Sequence, residues 1–103
     1  MKVLWTPKAI LSLKATAEFL DKIWKNQSIL DTFLIEIDKA ILQIQKYPAS
    51  GVKFHDNIRR ILIHKNVSLF YKEESNLLKI LLIWDNRQNP DELEGKLKSD
   101  KSS

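Results

Sequence analysis

The chain has 103 residues, and its 17 Lys and Arg against 13 Asp and Glu give a formal net charge of +4. That length suits one domain with one core, and 44% hydrophobic with 29% charged residues is ordinary for a soluble globular protein. The absence of cysteine excludes disulfides and thiolate metal sites and fits a reducing cytoplasm; no apolar run approaches the roughly 20 residues that span a bilayer, and the N-terminus lacks a signal-peptide pattern.

Val3, Leu4 and Trp5 form a short first strand in this reading. Thr6-Pro7 then reads as N-cap and first helical residue, because proline there has no amide to lose. Behind it Ile10, Leu13, Ala17, Leu20 and Trp24 recur at spacings of three and four, which predicts an amphipathic helix over about residues 7–24. Leu11, Phe19 and Ile23 fall off that stripe and are expected to stay exposed. Residues 25–27 connect to a second helix. Ser28 and Asp31 resemble a capping box, and Leu30, Phe33, Leu34, Ile37, Ile41 and Ile44 mark the buried face. This helix stops at Tyr47-Pro48 because the residue before proline resists helical geometry. A short connection favours an antiparallel pair.

Ala49-Ser50-Gly51 is a turn, and an antiparallel meander follows. Its first strand, residues 58–64, sets Arg59, Ile61 and Ile63 on one face and Ile58, Arg60, Leu62 and His64 on the other. Residues 67–72 give the next strand. The third, residues 77–84, is the most apolar stretch of the chain. At period two Leu78, Ile80, Leu82 and Trp84 share one face, with Leu77, Leu81 and Ile83 on the other. Apolar residues on both faces mean a strand covered on both sides and placed centrally. A short helix over about 91–97 comes next. Residues 1–98 are expected to form one domain and 99–103 a disordered tail.

The chemistry-bearing residues are few. The three arginines, Arg59, Arg60 and Arg87, all lie in the strand-rich second half. Guanidinium is the better bidentate binder of phosphate and carboxylate, and with Lys53, His55 and Lys65 nearby the three can build a basic patch. Such a patch competes with a plain solvated face. His55 and His64 are possible acid–base groups but have no ligand-spaced partner. Tyr71 and the tryptophans fit core packing first. Asp85 can orient Arg87 through an ion pair. The sequence carries no phosphate loop, serine elbow or metal motif, so no cofactor and no metal is expected.

Trp5-Thr6-Pro7-Lys8-Ala9, the segment IQKYPASG at 44–51, residues 58–63 with Tyr71, and LLIWDNRQNPDEL at 81–93 together resemble the RelE/ParE superfamily of toxins from type II toxin–antitoxin modules. The resemblance spans about residues 3–93. It implies an α+β fold with an N-terminal strand, an antiparallel helix hairpin and a three-stranded antiparallel meander in one sheet. It also implies growth inhibition and plasmid stabilisation, a cognate antitoxin as partner, and contact with operator DNA only through that antitoxin. RelE-like members cut mRNA at the ribosome, whereas ParE-like members poison DNA gyrase.

By position, Arg87 matches the arginine after the last strand of the ribonucleases. Ser68 and Leu93 stand where those enzymes carry a strand arginine and a C-terminal tyrosine. The chain therefore lacks two groups that would stabilise a phosphorane and move a proton, which favours the ParE-like branch. Arg59, Arg60, Lys65, Tyr71 and Arg87 are the candidate binding residues. If the chain is instead an endonuclease, Arg87, Arg60, Arg59 and His64 are the catalytic candidates. A plain nucleic-acid-binding module is a third reading.

Overall fold

The strand Leu77–Asp85 (β5) organises the molecule. In this computed structural model, which describes residues 1–64, 66–88 and 90–99, β5 lies inside a five-stranded sheet of order β1-β5-β4-β3-β2. The other strands are Lys2–Trp5 (β1), Val52–His55 (β2), Ile58–His64 (β3) and Val67–Glu74 (β4). β1 runs parallel to β5, with Val3 opposite Leu78, and the remaining pairs are antiparallel. The meander thus has four strands rather than three, and the sheet is mixed. The missed strand, β2, is a four-residue edge with a register shift between Lys53 and His55, too short and irregular for alternation to reveal.

Between β4 and β5, Ser75 and Asn76 both take positive φ, the geometry of a two-residue hairpin turn. The helices are Pro7–Trp24 (α1), Gln27–Lys46 (α2) and Pro90–Ser99 (α3), and a 3₁₀ turn occupies Pro48–Ser50. Thr6 caps α1 as expected, its hydroxyl accepting from the Ala9 amide at 3.2 Å. Lys25 adopts a left-handed conformation and ends α1. Asn26, not Ser28, caps α2, with its side-chain oxygen accepting from the Ser28 amide at 2.9 Å.

One core lies between the sheet and the α1/α2 hairpin, built from Leu20, Phe33, Ile37, Ile44, Val67, Leu69, Tyr71, Leu78, Ile80 and Ile83. A second lies beneath α3, where Leu93 and Leu97 meet Ile58, Phe70, Leu81, Leu82 and Trp84. This double cover explains why β5 is apolar on both faces. The expected phase of β5 is corrected midway. Phe70 is opposite Leu82, yet Tyr71 is opposite Ile80, so Leu81 is an extra residue and the strand bulges. Before the bulge Leu78 and Ile80 face the hairpin. After it Ile83 does, while Leu82 and Trp84 turn to α3.

The buried face of α1 is also rotated from its expected position. Ala9, Thr16 and Leu20 are buried, while Ile10 and Trp24 are exposed. β1 ends opposite Ile80, which leaves the second half of β5 without a neighbour on that edge. α1 compensates with a polar residue: Ser12 Oγ accepts from the Ile83 amide at 2.9 Å and donates to the Ala9 carbonyl at 2.8 Å. A buried amide left unbonded there would cost about 1–3 kcal/mol, so the helix presents Ser12 rather than a larger apolar stripe.

Candidate functional site

At the end of β5 the chain turns back on itself. Asp85, wholly buried, accepts from Arg87 Nε at 3.0 Å, from Arg87 Nη2 at 2.6 Å and from the Arg87 amide at 2.9 Å. This two-pronged pairing holds the Asp85 carboxyl below its ordinary range against the opposing effect of burial, and it raises Arg87. The guanidinium also sits 5.3 Å from the centre of the Phe19 ring on α1. Asp85 orients Arg87 through an ion pair, as the sequence suggested, and the Arg87 side chain is 42% exposed. Its charge, however, is already matched by a carboxylate.

The three arginines do not come together. Arg59 is opposite Tyr71, whereas Asp85 is opposite Val67, an offset of four residues, about 13 Å along the strands, and the two lie on opposite sides of β4. Arg60 is opposite Phe70, which belongs to the core beneath α3, so it leaves the other face of the sheet. The single basic patch expected from sequence is replaced by separated sites. His64 pairs with Glu36 of α2 at 3.1 Å. His55 lies 3.5 Å from Asp56 and 3.4 Å from Glu94. Tyr71 is buried, its hydroxyl donating to the Pro48 carbonyl at 2.8 Å and accepting from the Gly51 amide at 2.9 Å. Lys65 lies outside the described residues, as does the tail beyond residue 99.

Arg59 occupies a different setting. Its Nη1 donates to the Gly51 carbonyl at 2.8 Å and reaches the Ala49 carbonyl at 3.4 Å. It lines a cavity of about 260 Å³ together with Pro48, Lys53, Asn57, Tyr71 and Glu73. Lys53 is directly opposite Arg59 across the β2–β3 pair. Sequence reasoning missed Asn57 and Glu73 altogether; it set Lys53 near the arginines, but its direct pairing with Arg59 depends on β2, which went unrecognised.

The two positions that depart from the ribonuclease pattern are structural here. Ser68 is buried and donates to Asn86 Oδ1 at 3.0 Å, and Leu93, on α3, packs from that helix into the second core. Across α1, Leu11, Phe19 and Ile23 are exposed, as the stripe predicted. Among the described residues no group of three or more His, Cys, Asp or Glu side chains is placed to hold a metal ion, and no helix is long and apolar enough to cross a membrane.

The chain is an α+β domain whose mixed sheet carries a helix hairpin on one face and a terminal helix on the other. Among solved structures, a chain from "Chromosomal ParDE TA system from P. aeruginosa" matches with a TM-score of 0.68 at 18% identity, over 82% of this chain and 95% of that one. No protein-family model and no curated protein matches the sequence.

Proposed function

We propose that the protein is the toxin of a type II toxin–antitoxin module, a ParE-like growth inhibitor that acts on a target protein such as DNA gyrase and is neutralised by a cognate antitoxin. The observation that carries this reading is the likeness over most of both chains to a chain of the ParDE toxin–antitoxin system. Three local features favour the non-nucleolytic branch. Ser68 is committed to Asn86, Leu93 to the core, and Arg87 to Asp85. An arginine already clamped to a carboxylate has less to offer a developing phosphorane than an unpaired one. The exposed apolar row Leu11, Phe19 and Ile23 supports an antitoxin lying along α1.

The test is induction of the protein in growing cells, with message integrity and plasmid supercoiling followed in parallel. Growth arrest with altered supercoiling or broken chromosomal DNA and intact message is the expected result. Rapid, codon-phased cleavage of mRNA would establish the endonuclease alternative instead. Unimpaired growth on strong induction of folded protein would remove the toxin reading itself.

A further inference from the structure

The Lys53–Arg59 cavity brings two like charges together on paired strands, with Glu73 the carboxylate in its lining. Residues directly opposite on antiparallel strands have Cβ atoms about 4.5–5.5 Å apart, and like charges there repel. Lys53 and Arg59 form such a pair. No carboxylate of the described residues is within ion-pair distance of either. Arg59 spends only Nη1 on the protein. Its Nε and Nη2 carry no bond among the described residues, and that edge of a guanidinium receives a carboxylate with two parallel hydrogen bonds.

We propose that this cavity is an anion site that takes one carboxylate from an acidic side chain of a protein partner. The carboxylate bridges Arg59 and Lys53, and Asn57 lines the same cavity. Size and charge favour a carboxylate over a nucleic-acid phosphate. At about 260 Å³ the cavity falls below the range of roughly 300–1,000 Å³ typical of sites for whole small molecules, so it suits a side chain better than a nucleotide. Glu73 also lines it, and that negative charge opposes a polyanion more than a single carboxylate. The site lies on the face of the sheet opposite Arg60 and away from the Asp85–Arg87 pair. The occupant rests on the toxin reading, in which the partner is an acidic antitoxin, but the site's chemistry is testable on this chain alone.

Amide NMR spectra of the protein would be recorded during titration with N-acetyl-glutamate N-methylamide, which presents one glutamate side chain, and separately with dimethyl phosphate at equal ionic strength. The expected result is saturable shifts at Ala49, Gly51, Lys53 and Asn57 with the glutamate probe. Arg59→Gln and Lys53→Met should each weaken binding about tenfold, and Glu73→Gln should tighten it. Lys14→Met, on the exposed side of α1, should change nothing. Because Lys53 is exposed on an edge strand, its substitution keeps the test valid if the Arg59 variant fails to fold. Absence of saturation, insensitivity to Lys53, or binding of dimethyl phosphate at least as tight as the glutamate probe would overturn the proposal. Growth arrest in the induction experiment would still stand in that case, so failure of the site and failure of the toxin reading are separately visible.

Discussion

The Tyr71 hydroxyl sits between the Gly51 amide and the Pro48 carbonyl, accepting from one at 2.9 Å and donating to the other at 2.8 Å. A strand in the middle of the sheet is thereby tied to the turn that follows the helix hairpin. The approach is so close that a Cβ on Gly51 would stand 2.5 Å from the Tyr71 hydroxyl oxygen. Gly51 has an extended backbone with φ of −75°, so the residue is small for reasons of space, not of backbone conformation.

Gly51→Ala should therefore destabilise by about 1–3 kcal/mol, the usual cost of overpacking. Tyr71→Phe should cost a similar amount, about 1–3 kcal/mol, by leaving a buried donor and acceptor unmet. Combined, the two should cost less than their sum, because phenylalanine removes the nearer of the two Tyr71 atoms that alanine strikes. Urea unfolding of the four proteins measures this, and strict additivity would refute the contact.

Arg87→Ala should cost about 1–3 kcal/mol at neutral pH by leaving a buried carboxylate with one backbone partner. Asp85 is held below its ordinary pKa by Arg87, so the pair's stabilisation is fully present above the unfolded value of about 3.9. It is lost as the pH falls through the lower folded value. The stability difference between the parent protein and Arg87→Ala should shrink as the pH is lowered from about 6 to 3. A constant difference across that range would mean that the pair contributes nothing through its charge.

Leu82→Ala should cost roughly 2–5 kcal/mol, as for other fully buried leucines, since Leu82 is 1% exposed beneath α3. Leu62, on β3 and 61% exposed, should tolerate alanine within about 0.5 kcal/mol. Thermal unfolding of the two variants separates them. Equal effects would contradict the burial of Leu82 in the core beneath α3.

Leu11→Asp should leave stability within about 0.5 kcal/mol, because the side chain is 68% exposed. Under the antitoxin reading it should weaken the complex by tenfold or more. Pull-down with a candidate antitoxin, followed by calorimetry, measures this. Undiminished affinity would move the docking surface off α1.

Much of this fold was legible because its signals are local. Thr6-Pro7 and Tyr47-Pro48 bound the helices through proline's own geometry, and both ends fell where the sequence placed them. The apolar run of β5 declared a two-sided strand. What failed was information held in pairing partners. The bulge at Leu81 exists only relative to Phe70 and Tyr71, so a strict period of two misassigned Leu82 and Trp84. Ser12 faces the sheet because β1 is shorter than β5, which no property of α1 announces. The site suffered in the same way. Arg59 and Arg60 were correctly sent to opposite faces by alternation, but the distance of Arg87 from Arg59 depends on register, and Lys53 could join Arg59 only through a strand whose pattern was too short to recognise.

The pairing of Val3 with Leu78 carries a consequence for synthesis. A ribosome adds about 5–20 residues per second, so the first strand waits several seconds before the segment it docks against is made, and longer before that segment clears the exit tunnel. The parallel edge cannot close before Leu78 has emerged. Both helices of the hairpin are made before that segment, so the sheet's outer edge must close onto a hairpin already synthesised.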